Sequence, residues 1–345
     1  MMINYLKKNN IVFSNNYVYL IDKFFDTKPA LLICSNFYKK TEDYFNLVNF
    51  LKNRSELKII ENVPSNPSSE FINKILEDLK KYNFKNIIAI GGGSVIDVSK
   101  IVKISNLNYK EKFLLVIPST AGTGSEVTNF ATVWDYKNNK KLSFENKKMK
   151  PNLIIFNSKI LYTHDFRGIL FPVLDSISHC LESIWNKNST LQTEKIALRV
   201  LQNYIKLLPN INNYKNYTFI KKLQWNSFLA GCIIAHTKTS IAHAISYPLT
   251  LNYSIPHGLA CSFSLPVLID YYNHKKNKST NCFNTLNEIK DLLNYLKLGE
   301  ILNEYINNTQ LINCLNLPLD ENRIKNFCLD KNEAIKCIQQ ELSYR

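Results

Sequence analysis

Two textures divide the chain near residue 160. Before it, short apolar runs stand between amphipathic stretches. Ala30–Cys34, Ile87–Ile90 and Phe113–Ile117 are almost wholly apolar and read as strands, and Leu153–Phe156 adds a short fourth. Ser68–Lys81 carries Phe71, Ile75 and Leu79 on one helical face, with Ser68 or Ser69 as an N-cap after Pro67. This alternation predicts a parallel α/β sheet. Beyond it, Leu174–Trp185, Leu191–Leu208, Phe219–Ala235, Ser240–Pro248 and Leu259–Tyr272 have helical periodicity, and few strand signals remain. The predicted organisation is an α/β domain over residues 1–158 and an all-α domain over 159–345.

Two loops at predicted strand ends carry candidate chemistry. Gly91-Gly92-Gly93-Ser94-Val95-Ile96-Asp97-Val98-Ser99-Lys100 follows a strand and opens a helix. Consecutive glycines permit positive φ and close approach of a ligand, and the positive end of the helix favours a pyrophosphate. The pattern is neither GxGxxG nor a P-loop. The second loop, Pro118-Ser119-Thr120-Ala121-Gly122-Thr123-Gly124-Ser125-Glu126, is rich in hydroxyls. Open α/β sheets bind ligands at the C-terminal ends of their strands, where both loops lie.

The helical half offers a second kind of chemistry. Asp175 and His179, at i and i+4, share a helical face and can hold one ion. His243 and His257, the latter in Ile255-Pro256-His257-Gly258, add two imidazoles. One carboxylate with three imidazoles suits Fe(II) or Zn(II). His164 and His274 read as loop residues, and His236 is ambiguous.

Composition narrows the class. No apolar run approaches the roughly 20 residues of a membrane span. Met1–Phe13 lacks the apolar block of a signal peptide, so a cytoplasmic protein is expected. The eight cysteines form no CxxC pair and are read as reduced, mostly buried small hydrophobes. The net charge of +15 raises nucleic acid as a partner. Its lysines are scattered, however, and the densest runs, Lys137–Lys150 and His274–Lys278, read as polar loops. Neither nucleic acid nor membrane is expected as a partner.

Taken together, Gly91–Lys100, Pro118–Glu126, Asp175–His179, His243–Leu249 and Pro256-His257-Gly258 resemble, in order and in the interval from His243 to His257, the signatures of the iron-containing alcohol dehydrogenases. The resemblance implies a dehydroquinate synthase-like fold: an N-terminal dinucleotide-binding domain, a C-terminal helical metal-binding domain, and an active site in the cleft. It implies that Asp175, His179, His243 and His257 ligate Fe(2+), with Zn(2+) as the alternative. It implies that Gly92, Gly93, Ser94 and Asp97 contact NADPH or NADH, with Ser119, Thr120, Thr123 and Ser125 alongside. Many relatives place a further histidine, assigned to proton transfer, where this chain has Tyr247, which becomes the candidate proton donor. NAD-preferring relatives tend to carry an aspartate after an early strand. Here that segment is Cys34-Ser35-Asn36-Phe37-Tyr38-Lys39-Lys40, and two lysines without an acid lean towards NADPH.

The implied reaction interconverts a small aldehyde and a primary alcohol. The segment Thr237–Pro248 is similar to a subgroup that reduces phosphonoacetaldehyde to 2-hydroxyethylphosphonate. Lys238, beside Thr239 and Ser240, is the candidate phosphonate-binding residue. Another aldehyde substrate, or a lyase of the dehydroquinate synthase kind, is the alternative. By analogy with relatives, a homo-oligomer is expected.

Overall fold

A computed structural model describes residues 10–105, 111–138 and 140–344. The opening residues 1–9, part of the stretch read for a leader, lie outside them. The chain divides into two compact units, Met1–Asp165 and Phe166–Arg345.

The first unit is built on a six-stranded, all-parallel sheet. Its strands are β1 (Asn10–Phe13), β2 (Ala30–Cys34), β3 (Leu57–Ile60), β4 (Asn86–Gly91), β5 (Phe113–Pro118) and β8 (Leu153–Phe156), in the order β1-β8-β5-β4-β2-β3. Alternate residues supply two cores. Leu32, Cys34, Ile88, Ile90, Leu115 and Ile117 pack with Tyr17 and Ile21 of helix α1 (Tyr17–Phe24) and Leu47 and Leu51 of α2 (Glu42–Lys52). Leu31, Ile33, Ile87, Ala89, Leu114 and Val116 pack with Ile72, Ile75 and Leu79 of α3 (Ser69–Leu79) and Val95, Val98 and Val102 of α4 (Gly93–Ile104). With both faces covered, the central strands must be apolar throughout, which is why they read as continuous runs. Ser68 caps α3 as expected, through its hydroxyl and the Phe71 N–H. Phe71 itself is only half-buried, and Ile72 takes the core position.

One polar stretch is corrected. Lys137–Lys150, read as a loop, contains strand β7 (Lys140–Glu145), paired antiparallel with β6 (Phe130–Asp135) in a separate hairpin. Most of β7 is exposed, so no apolar alternation marked it.

The second unit is helical. Helices α5 (Phe166–Ile184), α6 (Leu191–Leu207), α7 (Tyr217–Thr237), α8 (Ile241–Tyr253), α9 (His257–Ser262) and α10 (Leu265–Lys275) are followed by shorter helices and by Lys331–Tyr344. Every residue of α5 from Val173 to Ile184 is buried, because α6, α7 and α9 pack around it. Three readings are corrected here. The segment expected to stop at Pro248 continues as α8 to Tyr253. Pro248 removes one intrahelical donor, but burial along the helix holds it together. Leu259–Tyr272, read as one helix, is two: α9 ends at Ser262, and Pro266 occupies the first turn of α10, where its missing N–H costs nothing. His274 lies in the last turn of α10 rather than in a loop. Among the described residues, no helix is long and apolar enough to cross a membrane. All eight cysteines are free of disulfides.

Candidate functional site

A buried helix can carry polar side chains only if each finds a partner. On α5, the Ser178 hydroxyl donates to the Asp175 carbonyl, Ser183 donates to the Thr237 hydroxyl, which itself donates to the Ile233 carbonyl, and Tyr204 donates to Ser176. Asp175, His179 and Glu182 remain, at i, i+4 and i+7, and so form one stripe along the helix.

Helices α8 and α9 bring the remaining imidazoles to that stripe. The Glu182 carboxylate is fully buried and accepts the backbone N–H groups of Ser240 (3.0 Å) and His243 (3.1 Å). It thereby caps the start of α8, where Ser240 makes no side-chain cap. The oxygen that accepts from Ser240, Oε2, also lies 2.7 Å from His243 Nδ1. This leaves His243 Nε2 turned towards Asp175. Burial works to raise the Glu182 carboxyl. The charge of His243 and the two N–H groups outweigh it, holding the group below the usual carboxylate range. Helix α9 approaches α5 through Gly258, where a Cβ would stand 1.8 Å from the Phe171 carbonyl oxygen. Gly258→Ala should therefore push α9 away, costing about 1–3 kcal/mol or more. A urea midpoint unchanged from wild type would show that the approach is not tight.

All three Nε2 atoms converge on one oxygen. Asp175 Oδ1 lies 3.4 Å from His179, 3.3 Å from His243 and 4.0 Å from His257. The His179 and His243 rings stack at 5.0 Å, and His257 meets His243 edge-on at 5.2 Å. Asp175 Oδ1 is buried and accepts no well-formed hydrogen bond among the described residues. Burial acts to raise the Asp175 carboxyl, and the three imidazoles outweigh it, holding the group ionised far below its usual range. Donors bonded to one ion at about 2.0–2.1 Å stand roughly 3.3 Å apart in a tetrahedron. The donor set fits a divalent cation in type and spacing.

The turn before α8 is held unusually firmly. Lys238, half-buried, adopts φ 67° and ψ 171°, a conformation ordinarily confined to glycine. Three asparagines clamp the turn: Asn188 donates to the Thr237 carbonyl, Asn186 to that of Lys238 and Asn326 to that of Thr239. The hydroxyls of Thr239 and Ser240 are buried without a hydrogen-bond partner among the described residues. One turn along α8 from His243, the Tyr247 hydroxyl accepts from Arg323 Nε at 3.0 Å.

Sequence reasoning missed Glu182, Cys261 and Arg323. Glu182 stands three residues after His179, and Cys261 four after His257, so helical spacing was the available signal for both. Arg323 reaches the site from a distant segment, and no local pattern marks it.

In the first unit, the strand order puts a topological switch between β2 and β4, because β3 lies on one side of β2 and β4 on the other. The loop after β4 sits at that switch. Gly92 begins α4 with no side-chain cap, so its first-turn amides face outwards from the sheet end without a capping side chain. Positive φ is not what these glycines provide, since among the described glycines only Gly124 adopts it. They provide room: a Cβ on Gly93 would meet the Thr123 side chain at 3.0 Å, and one on Gly92 that of Thr120 at 3.3 Å. The two loops therefore pack against each other, with Ser119 N–H donating to the Gly91 carbonyl. Asp97 accepts from the Ser125 hydroxyl and from the Thr132 N–H. Buried Lys100 donates to Ser125, Thr128 and the Phe130 carbonyl. Ser94 accepts from the Asn66 N–H. Lys39 pairs with Glu61, which also accepts from Tyr44, while Lys40 is exposed.

Family models agree with both halves. The model described as iron-containing alcohol dehydrogenase matches residues 9–158, and its C-terminal counterpart matches residues 171–314. The chain belongs to the iron-containing alcohol dehydrogenase family. This family member is 27% identical over 237 residues to a 4-hydroxybutyrate dehydrogenase of Clostridium kluyveri, covering 64% of each chain. It is 27% identical over 238 residues to a phosphonoacetaldehyde reductase of Streptomyces viridochromogenes, covering 63% of this chain and 60% of that one. The matches thus span less than two thirds of either relative. A sulfoacetaldehyde reductase from Bifidobacterium kashiwanohense, solved in complex with NAD+, shares the fold: the TM-score is 0.81 at 20% identity, covering 97% of both chains.

Proposed function

We propose that this iron-containing alcohol dehydrogenase is a metal-dependent NAD(P)H oxidoreductase that interconverts a small aldehyde and its primary alcohol. The observation that carries the reading is the convergence of three imidazole Nε2 atoms on the buried Asp175 oxygen. Asp175, His179, His243 and His257 would hold Fe(II), or Zn(II) in its place, and such a cation supplies Lewis acidity towards a carbonyl oxygen. The reduced nicotinamide supplies the hydride.

The chain's own residues bind and orient. The amides of Gly92, Gly93 and Ser94 at the start of α4 receive the pyrophosphate. Thr120 and Thr123 line the loop beside them. Ser119, Asp97 and Ser125 act by fixing the loops against each other, through the hydrogen bonds that already engage them. Tyr247 delivers the proton to the alcohol oxygen, its hydroxyl oriented by Arg323. Lys39 is engaged by Glu61, so the preference for NADPH rests on the exposed Lys40. The free cysteines accord with a reducing, cytoplasmic compartment.

The favoured substrate class is a small aldehyde with an anionic head, with phosphonoacetaldehyde as the specific choice. Lys238 and the hydroxyls of Thr239 and Ser240, which have no hydrogen-bond partner among the described residues, support it, as a charged donor beside two buried ones. The test is an aldehyde panel with both reduced cofactors after loading with Fe(II) or Zn(II). Phosphonoacetaldehyde should outrun neutral aldehydes of equal size. Lys238→Ala should raise KM for the anionic aldehyde by roughly 10- to 100-fold, the worth of a charged hydrogen bond, and leave neutral ones unchanged. Equal turnover across the panel would remove the phosphonate reading. Catalysis without net consumption of reduced nicotinamide would remove the oxidoreductase reading in favour of a lyase.

A further inference from the structure

The centre contains one donor beyond the carboxylate and three imidazoles. Cys261 lies on α9 four residues after His257, so the two side chains share a helical face. Its side chain is fully buried. Its sulfur stands 3.7 Å from both ring nitrogens of His257. Donor atoms of Asp175, His243, His257 and Cys261 all lie within 4.8 Å of one another. In a five-coordinate sphere, the edge between a sulfur at about 2.3 Å from the ion and an adjacent imidazole nitrogen at about 2.0–2.1 Å is roughly 3.1–3.8 Å. The observed separation is close to that edge. A cysteine packed only as a small hydrophobe faces apolar neighbours, whereas this one faces imidazoles and an ionised carboxylate with an unsatisfied oxygen.

We propose that Cys261 is a further ligand of this centre, its sulfur entering the coordination sphere of the bound divalent cation. The inference rests on the metal-centre reading above. The thiol loses its proton to solvent as the sulfur–cation bond forms, and no electron is transferred. A thiolate among imidazoles and a carboxylate makes the site softer, which favours Zn(II) over Fe(II).

The test uses the metal-free full chain titrated with Co(II) in the absence of nucleotide, for wild type, Cys261→Ser and Cys261→Ala. Wild type should give cobalt d–d bands and an intense near-ultraviolet sulfur-to-cobalt charge-transfer band. Both variants should keep the d–d bands and lose the charge-transfer band. The near-isosteric serine variant guards against a packing defect in the alanine one. Competition between Zn(II) and Fe(II) should show the preference for zinc reduced about tenfold or more in the serine variant. Cobalt d–d bands without charge transfer in wild type, or charge transfer surviving in both variants, would overturn the role of Cys261 and leave the metal centre standing. No cobalt spectrum at all in wild type would overturn the metal centre itself.

Discussion

Replacing Asp175 by asparagine is expected to abolish metal retention and with it aldehyde reduction, while the metal-free protein stays folded. The carboxylate is buried among three imidazoles, and its Oδ1 has no well-formed hydrogen bond among the described residues. With a cation in place, it is the one carboxylate on the shared face that the imidazole nitrogens surround. Removing one partner of a buried charge pair costs about 3–5 kcal/mol, so metal affinity should fall by roughly 10²- to 10³-fold or more. Without the cation the imidazoles still hold the carboxylate ionised, so asparagine should also lower the stability of the metal-free protein, by less than it lowers metal affinity. Thermal unfolding separates the two states. A saturating ligand adds about 2.7 kcal/mol at a hundred times its Kd, so Fe(II) or Zn(II) should raise the Tm of wild type and leave that of Asp175→Asn unmoved. An Asp175→Asn protein that purifies with stoichiometric metal and shows the wild-type shift would sink the assignment.

The second large effect belongs to Glu182, which touches His243 rather than the cation. Glutamine at this position has nearly the same shape but only one acceptor oxygen. The carboxylate uses one oxygen for the Ser240 N–H and the other for the His243 N–H, so the amide nitrogen must face one of those donors. A buried donor left without a partner costs about 1–3 kcal/mol. His243 also loses the anion beside its Nδ1, which keeps Nε2 directed inwards. We expect Glu182→Gln to bind metal about 10- to 100-fold more weakly and to unfold at lower urea even when metal-free. The two measurements are independent. Lower stability with wild-type metal affinity would make Glu182 a helix cap alone.

How much of this could be read beforehand follows from where each signal is stored. Strands β2, β4, β5 and β8 were legible because helices or neighbouring strands cover them and leave only apolar choices. Strands β1 and β3, four residues each at the two edges of the sheet, carry too little pattern to stand out. Strand β7 is hidden among exposed lysines. Pro248 looked like a stop, but tertiary packing outweighs the loss of one intrahelical hydrogen bond. Asp175 and His179 announce themselves by spacing within one helix. His243 and His257 sit on other helices, so only the chemistry of the donor set suggested grouping them with the first pair, and the resemblance to a family supplied the full ligand set. Cys261 reads along the sequence as a reduced, buried small hydrophobe, and the structure agrees, while also setting its sulfur beside His257. Glu182 continues the i, i+4, i+7 stripe of Asp175 and His179, so spacing could have marked it, whereas Arg323 acts across the fold, where no period in the chain can mark it.

The turn at Lys238 bears on how this protein would respond to selection. A glycine would adopt that backbone freely, whereas lysine carries a handicap of about 1–3 kcal/mol. A heat-challenge screen of random variants should therefore favour glycine at this position, while a growth screen that depends on charged aldehydes should reject it. On the proposed role of Lys238, robustness and substrate choice would pull against each other at a single residue, whose turn three asparagine side chains hold in place.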